Sequence, residues 1–283
     1  LIGAFGGLYI VPLYALVQSR APREQMSRVI GASNILNAAF MVAAAVLGAV
    51  LVKAGLTIPQ ILLATAVLNA AVAVYIYTLV PEFLLRFLAW LLVTFVYRLR
   101  SSGFEHVPET GPVLVVCNHV SFADALILSA ACHRPMRFVM EASIFRIPVL
   151  SLVFRGMKAI PVASAREDHE VRERAFAAVA AELRSGEVVC IFPEGRLTTD
   201  GEVGEFKSGV MRILAETPVP VVPAGLSGLW GSPFSRRYNP VWKRWPRKLW
   251  PRIGLRAGEV ISPEAVTVEG LRAEVVRLRG PLP

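Results

Sequence analysis

Two uncharged apolar runs, Val29–Val52 and Ile58–Val80, lie nearly end to end in this 283-residue chain. Each exceeds the roughly 20 residues a helix needs to cross a hydrocarbon layer. Only Lys53–Thr57 separates them. A helix apolar all round has no face to offer water, so the pair predicts transmembrane helices. Small residues crowd the first run (Gly31, Ala32, Ala38, Ala39, Ala43–Ala45, Gly48, Ala49), as close packing in lipid favours. The competing reading is a buried hairpin of a soluble protein. Leu1–Val17 reads as the last part of a third crossing. Because the sequence opens on Leu1 inside an apolar segment, it is expected to be the C-terminal piece of something longer. No charged stretch followed by a cleavage site marks a secretory signal.

Charge divides the chain at the same place. Residues 1–80 hold four basic residues and one acid, whereas residues 81–283 hold 26 basic and 20 acidic ones. The apolar excess behind the 54% hydrophobic content therefore belongs to the first third. A basic globular domain is expected to follow, and the net charge of +9 favours anionic partners. The loop Gln18–Arg28 sets Arg20, Arg23 and Arg28 against Glu24 and is expected on the cytoplasmic side. Lys53–Thr57 is then outside, and everything after Pro81 is cytosolic. The expected location is a cell inner membrane, crossed several times, with the globular domain on its cytoplasmic face. Cys117, Cys132 and Cys190 form no C-x-x-C pair. Cys117 and Cys190 close apolar runs and read as core, in keeping with a reducing compartment.

Pro81–Arg100 mixes Phe83, Phe87, Trp90, Leu91, Phe95 and Tyr97 with Arg86, Arg98 and Arg100. An aromatic helix ended by arginines fits a segment lying in the membrane interface, with a fourth crossing as the competitor. Three regions result: transmembrane helices over 1–80, an interfacial helix over 81–100 and a globular domain over 101–283.

In the globular part, short apolar runs alternate with helical patterns. Val113–Cys117, Phe138–Met140, Lys158–Val162, Val188–Phe192, Val219–Pro223 and Pro251–Leu255 read as strands. Ala123–Cys132, Glu167–Arg184, Gly209–Glu216 and Val268–Arg279 read as helices. This alternation predicts an α/β domain with a largely parallel mixed sheet flanked by helices. Ligands of such sheets gather at the carboxyl ends of strands.

Two polar motifs fall at such ends. Asn118-His119-Val120-Ser121-Phe122-Ala123-Asp124 follows one strand, and Phe192-Pro193-Glu194-Gly195-Arg196 follows another. Five residues across a loop-to-helix turn can bring His119 and Asp124 into hydrogen-bond reach. The carboxylate would fix the imidazole tautomer and leave the other nitrogen as a base. The plainer alternative is that Ser121 and Asp124 form a capping box. In the second motif, Gly195 permits a tight turn and Arg196 suits a phosphate. Its competitor is a β-turn with solvated charges. Phe206-Lys207-Ser208-Gly209 opens a helix whose amides and lysine also suit an anion.

Together these blocks resemble the glycerolipid acyltransferase family typified by lysophosphatidic-acid acyltransferase. The resemblance runs from about Phe104 to Ser227. It rests on Asn118, His119 and Asp124, on Phe192–Gly195, on Phe206, Lys207 and Gly209, and on Val221, Val222, Pro223 and Ala224. It implies that His119, oriented by Asp124, deprotonates the hydroxyl of a lysophospholipid or 1-acylglycerol-3-phosphate. The alkoxide then attacks the thioester of acyl-CoA or acyl-carrier protein. Asn118, Glu194, Gly195, Arg196 and Lys207 are implied to bind the acceptor, and Pro223 to lie on the acyl path. The resemblance calls for no cofactor, metal or covalent acyl-enzyme beyond the acyl-thioester co-substrate. Two departures bear on the acceptor: Arg196 directly adjoins Gly195, and no Ile-x-Arg follows Gly156. Both leave room for a lysophospholipid with a head group. The Phe-Pro-Glu-Gly-Arg-x-Thr-Thr form resembles bacterial enzymes that reacylate 2-acylglycerophosphoethanolamine. Some of those are fused to lysophospholipid transporters of the major facilitator type, and residues 1–80 look like the end of such a transporter.

The stretch with Arg236, Arg237, Lys243, Arg244, Arg247, Lys248, Arg252 and Arg256 contains Trp242, Trp245 and Trp250 and follows Trp230. It suits a phospholipid surface, with nucleic acid as the rejected rival. His106, His133 and His169 lack acidic partners at suggestive spacing, and zinc spacings are absent. Gly225-Leu226-Ser227-Gly228 misses the nucleophile-elbow pattern. The function expected is thus membrane-bound acyl transfer. The rivals are a transporter component whose cytosolic domain only binds lipid, and a hydrolase.

Overall fold

The computed structural model describes residues 21–79, 81–142, 155–162, 169–232 and 251–281, with residues 10, 11, 13–15, 17, 18, 151 and 235. It divides into two compact units, Leu1–Phe83 and Leu84–Pro283. Most of segment 1–17 and all of 236–250 lie outside the described residues. The expected third crossing is therefore not described as a whole. Neither are Arg236, Arg237, Lys243, Arg244, Arg247, Lys248, Trp242, Trp245 and Trp250 of the basic-aromatic stretch.

The first unit contains α1 (Met26–Lys53) and α2 (Ile58–Leu79). Both are long and apolar enough to cross a membrane, and neither crossing window is buried within the protein. Phe40, Met41, Val46, Leu63, Val67 and Tyr75 all stand exposed. Such surface is unfavourable in water and suits lipid, so these are two candidate membrane helices.

The second unit begins within α3 (Pro81–Val96) and continues through β1 (Arg98–Ser102), β2 (Val113–Cys117), α4 (Asp124–Ala131), β3 (Met136–Glu141) and β4 (Ile160–Val162). Then come α5 (His169–Arg184), β5 (Val188–Ile191), α6 (Gly209–Glu216), β6 (Val221–Ser227), β7 (Arg252–Ala257) and α7 (Val268–Arg279). The seven strands lie in the order β1-β7-β6-β2-β5-β3-β4. Every pair is parallel except β6 with β7.

Side-chain alternation along β2 builds the layers. Val113, Val115 and Cys117 enter one core with Ile127 and Leu128 of α4 and Val93 of α3. Leu114 and Val116 enter the other with Leu183 of α5, Val210 of α6 and Val275 of α7. A strand buried on both faces must be apolar at every position, which is why Val113–Cys117 reads as an unbroken run. Burying one such Val or Leu contributes about 1.5–3 kcal/mol. All three cysteines are free and buried, as expected for Cys117 and Cys190.

The sequence expectation needs correction at the first strand. An interfacial helix running to Arg100 is not what forms: the helix ends at Val96, and Arg98–Ser102 pairs with β7 as an edge strand. Four of its five residues are exposed, so it lacks the apolar alternation that marks an inner strand. Charged residues on an edge discourage further pairing. Other differences are small: β6 runs on to Ser227, and β7 starts at Arg252. Trp230, read as part of a membrane-docking face, packs against the core beside α4 instead.

Candidate active site

Strand register brings the two motifs together. β2 and β5 are parallel neighbours with Val116 opposite Ile191. Their carboxyl ends coincide, so the loop after Cys117 and the loop after Ile191 leave the sheet side by side. β6 flanks β2 on the other edge, with Cys117 opposite Ala224.

Nδ1 of His119 lies 2.8 Å from Oδ2 of Asp124. The imidazole is 23% exposed and the carboxylate fully buried. Oδ2 also accepts from the backbone N–H groups of Val120 at 2.7 Å and Ser121 at 3.0 Å. Asp124 thus anchors the turn as well as gripping the histidine, but the capping box is only half formed: the Asp124 amide donates to the Ser121 carbonyl, and the Ser121 hydroxyl accepts from Ala123 instead. An imidazole held through Nδ1 presents Nε2 as a base. Phe192 covers one face of the ring, with centroids 4.2 Å apart and planes 17° from parallel.

Glu194 sits against the backbone rather than in the open. Oε1 accepts the His119 N–H at 2.8 Å and Oε2 accepts the Gly204 N–H at 2.9 Å. Burial pushes its carboxyl above the ordinary range, against the lowering effect of those two amides. The carbonyl of His119 accepts from the Thr198 amide. The histidine's backbone is thus fixed on both sides of its Cα by the loop after β5.

The Asn118 side chain is likewise held by backbone groups. Its Nδ2 donates to the Leu226 carbonyl at 3.0 Å, and its Oδ1 accepts the Leu226 N–H at 2.8 Å. This pairing continues the β2–β6 ladder with a side chain. Pro223 lies buried in β6 opposite Val116, and its carbonyl accepts the Gly258 N–H. Gly195 has φ +64°, and a Cβ there would come 2.6 Å from the Lys207 ammonium. Lys207 therefore lies over the Gly195 backbone. Arg196 and Lys207 are both exposed. Among the sequence-predicted site residues, His119 and Asp124 meet directly. Asn118 and Glu194 brace them, while Gly195, Arg196 and Lys207 form a cationic turn.

Sequence reasoning gives no role to Phe192, although its ring completes the histidine's setting. Nor does it single out Gly204. A Cβ there would lie 2.9 Å from Oε2 of Glu194, so glycine is what lets this amide reach the carboxylate. Among the described residues, no three His, Cys, Asp or Glu side chains are grouped to hold a metal ion.

A three-layer α/β fold with a carboxylate-held histidine at the carboxyl end of its central strands is an arrangement suited to hydroxyl activation. Residues 98–227 match the acyltransferase family. Similar proteins include the chloroplastic 1-acyl-sn-glycerol-3-phosphate acyltransferase LPAT1 of Arabidopsis thaliana, 32% identical over 47% of this chain and 36% of that protein. The 1-acyl-sn-glycerol-3-phosphate acyltransferase of Borreliella burgdorferi is 29% identical over 46% of this chain and 51% of its own. A lyso-ornithine lipid O-acyltransferase of Rhizobium meliloti is 27% identical over 53% and 52%. The chain spans between about a third and a half of the length of these relatives. The crystal structure of the lysophosphatidic-acid acyltransferase PlsC from Thermotoga maritima shares the fold, with a TM-score of 0.50 and 21% identity over 68% of this chain and 76% of that one.

Proposed function

We propose that this chain is a membrane-bound O-acyltransferase of phospholipid synthesis or remodelling. It moves a fatty acyl group from acyl-CoA or acyl-carrier protein to the free hydroxyl of a lysophospholipid or 1-acylglycerol-3-phosphate. The observation that carries this reading is the 2.8 Å contact between His119 Nδ1 and buried Asp124. Nε2 takes the hydroxyl proton as the oxygen attacks the thioester carbonyl. The tetrahedral intermediate collapses, the C–S bond breaks, and the imidazolium returns its proton to the departing sulfur. Asp124 stabilises the imidazolium without taking the proton. The products are an ester and a free thiol, with no acyl-enzyme and no resident cofactor.

Arg196 and Lys207, exposed beside the Gly195 turn, are the cations suited to the acceptor's phosphate. The names of the relatives from A. thaliana and B. burgdorferi favour an acceptor of this class. Glu194 and Asn118 contribute by holding the His119 loop, because their polar atoms face backbone groups.

The membrane reading rests on α1, α2 and α3. The first two are long and apolar enough to cross a membrane. On α3, Ala89 and Val93 are buried, while Leu88, Trp90, Leu92, Phe95 and Val96 are exposed. One face on the core and an apolar face outward suit a helix lying in the interface. The arginines of the loop before α1 favour a cytoplasmic start, so the catalytic unit lies on the cytoplasmic side. The helices of residues 1–80 are read as the end of a transporter-like domain.

The test uses the full chain in phospholipid vesicles with a panel of lysolipids that includes lysophosphatidic acid and lysophosphatidylethanolamine, and with each thioester donor. Diacyl product from at least one pairing is expected. Fatty acid released without lipid product would instead make the domain a hydrolase. Binding without either product would make it a lipid-binding part of a transporter.

A further inference from the structure

Helix α7 lies outside the segment that matches the acyltransferase family, yet two of its arginines hold the loop on which the histidine's support depends. Arg272 donates from Nε to the Gly204 carbonyl and from Nη2 to the Val203 carbonyl, both at 2.8 Å. Buried Arg279 donates from Nη1 to the Gly201 carbonyl at 3.0 Å, and from Nη2 to Glu202 Oε2 at 2.6 Å. On its other side, Gly201 meets the Trp230 ring, which a Cβ would approach to 2.8 Å. The loop 198–204 is therefore gripped between α7 and Trp230.

That loop carries the Gly204 amide, which binds Oε2 of Glu194, whose Oε1 binds the His119 amide. Every link from the arginines to the histidine is a hydrogen bond of 3.0 Å or less. A guanidinium fork on consecutive carbonyls fixes a peptide's orientation better than a single point charge. The Val203–Gly204 peptide is the critical one, because its carbonyl, that of Val203, accepts from Arg272 while its N–H, that of Gly204, donates to Glu194. If it turned, Glu194 would lose one of the two amides that stabilise its buried carboxylate, and the His119 backbone would lose its fixed anchor.

We infer that Arg272 and Arg279 are positioning residues for acyl transfer: through the Gly204 amide and Glu194 they fix the His119 backbone, making α7 part of the catalytic apparatus. This rests on the acyltransferase reading above. Both guanidinium groups are spent on residues 201–204, so their loss is expected to lower turnover and leave donor affinity alone.

The experiment compares wild type with Arg272→Met and Arg279→Met in the full chain, reconstituted in vesicles. Exposed Arg272 is the cleaner probe, because buried Arg279 also contributes to packing. Arg272→Met is expected to melt like wild type, to lose about tenfold in kcat, and to keep KM for the acyl donor within about twofold. Arg272→Lys, which keeps the charge but loses the planar fork, falls between. Hydrogen exchange gives a second readout that needs no activity. Protection of the 194–207 and 118–121 backbones is expected to fall about tenfold in Arg272→Met. Wild-type kcat in a fully folded Arg272→Met protein would overturn the inference. Absence of acyl transfer by wild type would defeat the acyltransferase reading instead. In that event unchanged exchange at 194–207 and 118–121 would overturn the inference, and faster exchange would uphold the clamp.

Discussion

The ring of Phe192 lies nearly flat on the imidazole of His119, 4.2 Å between centroids, although the two residues belong to separate strand-end loops. The contact exists because β2 and β5 are parallel and in register to their last pairs. It holds the histidine from the face, while Asp124 holds it from the edge. Phe192→Ala removes the face support and leaves the imidazole held by Asp124 alone. About a tenfold loss in kcat is expected, with Phe192→Tyr close to wild type, measured as steady-state acyl transfer.

Asp124→Asn keeps the size of the side chain but replaces the carboxylate that holds His119 Nδ1 and, in the proposed reaction, stabilises the imidazolium. Loss of kcat by about 10³-fold or more is expected, with little change in KM for the donor. Unchanged kcat in the folded variant, with only a lowered thermal midpoint, would place Asp124 outside the chemistry and leave it the turn-anchoring role alone.

Asn118 makes no contact that would let it work on substrate while its amide is locked to Leu226. Asn118→Ala leaves the Leu226 N–H and C=O without these partners in a buried setting. A destabilisation of about 1–3 kcal/mol is expected, read as a lowered thermal midpoint in detergent. Asn118→Asp tests the geometry, since it keeps an acceptor for the Leu226 N–H but loses the donor to the carbonyl.

Tyr97, at the junction of α3 and β1, is buried, and its hydroxyl has no hydrogen-bond partner among the described residues. Burial, with a smaller push from Asp124, raises its ionisation from 10.0 to about 12. The folded protein therefore keeps this proton more tightly than the unfolded chain. The resulting stability is complete below the unfolded value of 10.0 and is lost as pH rises through about 12. Wild type is expected to lose thermal stability across that window by more than Tyr97→Phe, in melts on either side of it. A parallel decline of the two proteins would contradict the assignment.

The sequence exposes the parts of this fold whose physics is local. Val113–Cys117 and Val188–Ile191 are apolar at every position because both faces of the central sheet are covered. Gly209–Glu216 and Val268–Arg279 show a helical period with the same limits in the structure. β1 is hidden because an exposed edge strand of arginines and serines carries no burial signal. At the site, the spacing of His119 and Asp124 is legible, since a loop and one helical turn separate them. The bracing roles of Asn118 and Glu194 are not. Their polar atoms are taken by backbone groups of Leu226, His119 and Gly204, and only strand order determines those neighbours. Nothing in the sequence singles out Arg272 and Arg279 beyond their place on the helix Val268–Arg279. Their grip on residues 201–204 is a tertiary fact.

The most direct test measures transfer of a labelled acyl chain from acyl-CoA or acyl-carrier protein to lysophospholipid by the full chain and by His119→Ala, both in vesicles and both shown to be folded. Wild type is expected to form diacyl product, and His119→Ala to fall by about 10³-fold or more with thioester binding retained. Diacyl product from His119→Ala at the wild-type rate would contradict the assignment of His119 as the base.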